Sequence, residues 1–116
     1  METEHLYPIP TKELAEMKAA LAPKSVEAWR NFSKTVFAVG ALPEKTKQLI
    51  AVAVAHVTQC PYCIHSHTGQ AMRKGASEQE IMEAIWVAAE MRAGGSYAHS
   101  ALAIEEMEKT EELNNK

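Results

Sequence analysis

Apolar residues recur along the chain at spacings of three and four, and proline or glycine interrupts them at short intervals. That rhythm predicts helices throughout. A first helix is expected from Thr11 to about Ala20. A second follows Pro23, with Ser25 as its expected cap and Val26, Trp29, Phe32, Val36 and Phe37 as its apolar stripe. Gly40 suits a left-handed stop after it. A third helix starts near Pro43, whose missing N–H costs nothing in a first turn, and continues to about Thr58. From Leu49 to Ala55 it is apolar all round, which predicts a buried central helix. A strand over Ile50 to Val57 is set aside, because the helical pattern begins upstream and a lone strand has nothing to pair with.

A fourth helix is expected from Cys60-Pro61 to near Lys74, closed by Gly75. The fifth opens on a capping box, in which Ser77 bonds the Glu80 amide and the Glu80 carboxylate reaches back. It carries Ile81, Ile85, Ala88, Ala89 and Arg92, with Trp86 and Val87 widening its apolar face, and Gly94-Gly95 is expected to break it. A last helix from Tyr97 to about Glu112 carries Ala101, Leu102, Ile104 and Met107, and the tail should fray. The result is an all-α bundle of about six helices, a single domain over residues 1–116 with its core at about 25–108. Met72, Met82, Met91 and Met107 are read as core filler.

Composition narrows the function. Hydrophobic residues make up 47% and charged residues 23%, which is globular and not disordered. Twelve basic residues against fifteen acidic ones give a formal charge of −3, the wrong balance for gripping nucleic acid. The longest apolar run, Leu49 to Val57, is too short to cross a bilayer and is interrupted by His56. Residues 1–10 contain Glu2, Glu4 and His5 and read as no secretory leader. The expected location is the cytoplasm, where a purely structural disulfide is unusual. A helix apolar all round, with Trp29, Trp86 and several Met, is much to hide in 116 residues, so a homo-oligomer is expected.

The chemistry is concentrated between His56 and His67. Cys60 and Cys63 stand three apart at a helix start, a redox spacing that lets the sulfurs join. First-turn N–H groups and the helix dipole both favour thiolate over thiol. An ordinary cysteine is only a few per cent ionised at neutral pH, and a pKa lowered by about two units makes it mostly thiolate. Pro61 fixes the turn between the two sulfurs. His67 lies four residues after Cys63 and seven after Cys60, on the same helical face. Its ordinary pKa suits it to take and return a thiol proton. His65 lies about 200° round the helix from Cys63 and faces elsewhere, so His67 is the expected base.

Other readings of these residues stay open. Cys60 and Cys63 fit inert buried packing, but the proline and histidines are then accidental. Cys60, Cys63, His67 and either His56 or His65 also offer zinc-ligating atoms, for a non-catalytic interaction module. Ligands at i, i+3 and i+7 of one helix are unusual for a structural zinc site, however. His56 and His65 read most simply as surface groups with local partners. No resident metal and no cofactor are expected.

Cys60-Pro61-Tyr62-Cys63 matches the active-site tetrapeptide of glutaredoxins. That family sets it after a β-strand, so its fold does not carry over. A broader resemblance includes the flanks. Pro43-Glu44-Lys45-Thr46-Lys47-Gln48-Leu49-Ile50-Ala51-Val52-Ala53-Val54-Ala55, Cys60-x-x-Cys63-x-x-x-His67-x-x-x-Ala71, and Lys74-Gly75-Ala76-Ser77-x-x-Glu80-Ile81 resemble the AhpD-like branch of the carboxymuconolactone decarboxylase superfamily.

The resemblance implies an all-helical trimer or hexamer and a thiol-dependent alkylhydroperoxidase activity. Its substrate would be an alkyl hydroperoxide or hydrogen peroxide, and its reductant an external dithiol of the lipoyl or thioredoxin type. By resemblance Cys63 is the peroxide-attacking thiolate, Cys60 the proton donor that then closes the Cys60–Cys63 disulfide, and His67 the relay. The family motif has a glutamate twelve residues before the first cysteine, where this chain has Gln48. A glutamine cannot take a proton, and Glu44, one turn earlier, is the candidate substitute. Tyr62 replaces a histidine that the resemblance places between the cysteines, and His56 is the candidate compensation. Turnover without peroxide, as a thiol–disulfide oxidoreductase or redox sensor, is the alternative.

Overall fold

The computed structural model describes residues 6–116. Residues 1–5, part of the stretch read above as no leader, lie outside the described residues. The helices are α1 (Lys12–Leu21), α2 (Pro23–Phe37), α3 (Glu44–Thr58), α4 (Pro61–Arg73) and α5 (Glu78–Asn114), with no strand among the described residues. The chain divides into two compact units, residues 1–38 and 39–116.

In the first unit α1 packs on α2. Thr11 caps α1, its hydroxyl accepting from the Leu14 N–H at 3.1 Å. Ala22 holds the cap position of α2, with Pro23 in the first turn and no side-chain cap, so Ser25 is not the cap expected of it. Pro23 supplies the entry signal itself by fixing φ and needing no acceptor. Trp29 and Phe32 pair on the α2 stripe with ring centroids 5.9 Å apart.

In the second unit α3 packs against α4 and α5. The core is small: Val52, Ala71, Ala76 and Ile81 are buried, with Leu49 and Ile85 packed against them. Alanine at 71 on α4 lets the helices approach closely, and Ala76 is buried in the turn before α5. Lys45 on α3 pairs with Glu80 on α5 at 2.9 Å, and Glu44 pairs with Lys74 after α4. Ser77 and Glu80 form the expected capping box at 2.9 and 3.0 Å. The Ser77 backbone N–H, followed by Lys45, holds the Glu80 carboxyl below its ordinary value.

Four further expectations fail here. The helix count is five, because Gly94 and Gly95 do not break α5, which continues for 37 residues. A glycine costs about 1 kcal/mol inside a helix, and it stops one only when the chain turns left-handed. Among the described glycines only Gly75 does so, with φ 97°, and strong helix formers such as Met91, Arg92, Ala101 and Leu102 flank the pair. Gly40 likewise makes no left-handed stop; α2 ends at Ala38 in extended backbone. Helix α3 is central to its unit but not buried all round. Val52 is fully buried while Ile50 and Val54 are 47% and 51% exposed, because α4 and α5 cover only one side of it. The four methionines read as filler are at least half exposed.

Candidate redox site

The site sits where α3 hands over to α4. Helix α3 closes on Gln59, a non-glycine residue in left-handed backbone with φ 57° and ψ 50°. The N–H groups of Gln59 and Cys60 both turn back to the Ala55 carbonyl. Arg92 of α5 donates to the Val57 carbonyl at 3.3 Å, placing a cation at the negative end of α3. This left-handed step redirects the chain so that Cys60 becomes the N-cap of α4, followed by Pro61 in the first turn. A left-handed glutamine costs of order 1 kcal/mol or more and persists only where its surroundings require it.

Cys60 and Cys63 are joined as a disulfide, with Cα atoms 5.2 Å apart. The Cys63 N–H donates to the Cys60 sulfur at 3.3 Å, so the sulfur does the work a serine or aspartate does at other helix starts. Both cysteines are half-buried, whereas Tyr62 between them is 41% exposed.

His67 is half-buried and one turn beyond Cys63 on the same face. Its Nδ1 lies 2.7 Å from the Gln48 amide oxygen. Gln48 is only 3% exposed and is the one buried polar residue among those described. Its Nε2 donates to the Gln70 Oε1 at 3.3 Å, and the Gln70 Nε2 donates to the Ser66 hydroxyl at 2.9 Å. With Gln48 donating to Gln70, its oxygen is the group that faces Nδ1 of His67.

The remaining expected site residues lie apart from this chain of bonds. Glu44 does not reach toward the histidine in Gln48's place; its carboxylate is taken by Lys74. His56 donates from Nδ1 to the Val52 carbonyl of its own helix at 2.7 Å. His65 is exposed. Among the described residues, no three His, Cys, Asp or Glu side chains converge as a metal-ligand set. Among them, too, no helix is long and apolar enough to cross a membrane. Gln70 and Ser66 were not singled out by the sequence, although a buried glutamine at 48 demands amide partners on the facing helix.

Burial holds the His67 pKa below its ordinary value of 6.5, because the imidazolium is the form that loses solvent. The unfolded chain therefore binds the proton more readily than the folded one. Stability contributed by neutral His67 is complete above about 6.5 and is lost as pH falls toward the lowered folded value. Comparing wild type with His67→Gln by urea unfolding at a series of pH values isolates this term. The wild-type advantage should shrink on acidification below 6.5, and an advantage that grows there would reverse the sign.

The chain as a whole is similar to known proteins. The family model for the carboxymuconolactone decarboxylase family matches residues 23–106. A Paracoccus denitrificans protein known as uncharacterized protein 4 in the cox locus is 64% identical over 78 residues, 67% of this chain and 70% of its own. A crystal structure from Methanobacterium thermoautotrophicum superposes with a TM-score of 0.66 at 38% identity, covering 73% of this chain and 94% of that one. An apo carboxymuconolactone decarboxylase family protein from Legionella pneumophila gives 0.65 at 32% identity, over 84% and 86%. The chain belongs to the carboxymuconolactone decarboxylase family. Within that family it carries a disulfide-forming Cys-x-x-Cys pair.

Proposed function

We propose that the protein is a thiol-dependent hydroperoxide reductase of the AhpD-like type. The observation that carries this reading is the Cys60–Cys63 disulfide at the start of α4 with His67 one turn on, its ring held by Gln48. In the reduced enzyme, His67 Nε2 takes the proton of the pair, and the Cys63 thiolate attacks the terminal oxygen of the hydroperoxide. The O–O bond breaks, Cys63 becomes a sulfenic acid, and the departing alkoxide takes a proton to leave as alcohol. Cys60 then attacks the sulfenic sulfur, water leaves, and the disulfide forms. An external dithiol of lipoyl or thioredoxin type returns both thiols and is itself oxidised. This cycle needs a reducing compartment, the cytoplasm, and runs in a homo-oligomer, trimer or hexamer.

A neutral amide at Gln48, where the resemblance has a carboxylate, favours a second reading. An imidazolium facing an amide gains less than one facing a carboxylate, so thiolate formation is less assisted. A protein limited in that way exchanges disulfides without turning over peroxide.

Intact mass separates the two. Reduced protein mixed with one equivalent of an alkyl hydroperoxide should lose two hydrogens within seconds. No change over minutes, with ready oxidation by a small disulfide, moves the function to thiol–disulfide exchange.

A further inference from the structure

Two helix ends meet at the redox pair, and their fields oppose each other. Cys60 is the N-cap of α4, so the positive end of that helix favours a thiolate. Cys60 also follows directly on the cap of α3, and its N–H bonds the Ala55 carbonyl at 3.1 Å. The carbonyl end of α3, with about half a negative charge, therefore lies against the same residue and disfavours the thiolate. What the pair gains from one helix start is offset by the helix stop before it.

Arg92 enters at that junction. It stands one turn after Ala88, the last buried residue of α5, and its guanidinium donates to the Val57 carbonyl at 3.3 Å. Val57 is three residues before Cys60. A neutral donor would satisfy the carbonyl as well, but a guanidinium also brings a full positive charge that no pH near neutrality removes. The other ionisable groups are engaged or stand elsewhere. His56 of α3 bonds the Val52 carbonyl and His67 of α4 lies on Gln48. Tyr62 and His65 are exposed on α4. Glu44 and Lys45 pair with Lys74 and Glu80 at the far end of α3. On α5 the Glu90 carboxylate lies beside Gly94, and on α4 Arg73 folds back to Gly69.

We propose that Arg92 is a positioning residue of the redox pair: through the last turn of α3 it cancels the negative helix end and leaves the field of α4 to favour the thiolate. The proposal rests on reading Cys60 and Cys63 as a redox pair, and it holds whether peroxide or a disulfide is the oxidant. The bond of Arg92 is to the carbonyl, and its effect on the sulfurs is through its charge. Removing the charge should cost the pair thiolate, and screening it with salt should do the same.

The test reads the thiolate. Reduced full-length protein is titrated by the ultraviolet absorbance of its thiolates at about 10 mM and about 1 M salt, where charges are screened over about 30 Å and about 3 Å. The first midpoint belongs to the pair as a whole. At low salt it should rise by about 0.2–0.7 pH unit in Arg92→Gln, which keeps a donor, and equally in Arg92→Met, which keeps neither donor nor charge. Arg92→Lys should stay at the wild-type midpoint, and the differences should vanish at high salt. Arg92 is exposed, so neither neutral side chain opens the core, and circular dichroism checks the fold of each variant. An unchanged midpoint in both neutral variants at low salt would overturn the proposal. A rise of the same size at both salt concentrations, or in Arg92→Lys, would overturn it too, because the bond and not the charge would then be the cause. Peroxide plays no part in this readout. The expected titration from a protein without hydroperoxide turnover counts against the function proposed above and leaves the role of Arg92 standing.

Discussion

Cys63→Ser should reduce hydroperoxide turnover to background. A serine hydroxyl at the third position of α4 has the same helix dipole and the same His67 nearby, yet it does not ionise near neutral pH. Removing a covalent nucleophile costs on the order of 10⁶ in kcat where it has been dissected. Cys60→Ser should behave differently. Its Cys63 still attacks, but no partner thiol closes the disulfide, so intact mass should show one added oxygen that a dimedone-type reagent traps. Turnover by Cys63→Ser near the wild-type rate would place the chemistry on another residue.

The second large effect is on stability and falls at Val52. It is fully buried, in contact with the cluster of Ala71, Ala76 and Ile81. Val52→Ala removes two methyl carbons and leaves a cavity that α4 and α5 only partly fill, at a cost of about 2 kcal/mol. Ile50→Ala, two residues away on the half-exposed side of the same helix, should cost less than about 1 kcal/mol. Urea unfolding of both variants gives the ratio. A cost at Ile50 equal to that at Val52 would mean that this side of α3 is covered in solution.

The local signals were readable from sequence because local physics enforces them. Ser77 and Glu80 cap α5 through bonds spanning three residues, and the proline starts at Pro23 and Pro61 need only a fixed φ. The Cys60, Cys63 and His67 spacing was legible for the same reason, since one helix carries the positions that matter. What failed depended on neighbours. An apolar stretch such as Leu49 to Ala55 says that burial is favourable and not which element provides it, so the exposed side of α3 was invisible. The glycine pair read as a stop because its local cost is real, but that cost is small against the helix-forming residues on both sides. Gln59 turned left-handed without the usual glycine, so no residue type marked the step that sets Cys60 in place. Gln70 needed the α3–α4 pairing before its position beside Gln48 had meaning.

The glycine pair has a further consequence for motion. Gly94 and Gly95 lie in α5 after its buried residues, Ile81 and Ala88, and from residue 96 onward every side chain is exposed. Most helical stability in a protein comes from packing of a buried face, which the outer length of α5 does not have, and glycine loses more backbone freedom on ordering than any other residue. The two lengths of α5 therefore open with separate free energies. The outer turns can unwind back to the glycines and re-form without disturbing Val52, Gln48 or the disulfide. Helix α5 is one element in its geometry and two cooperative segments in its fluctuations.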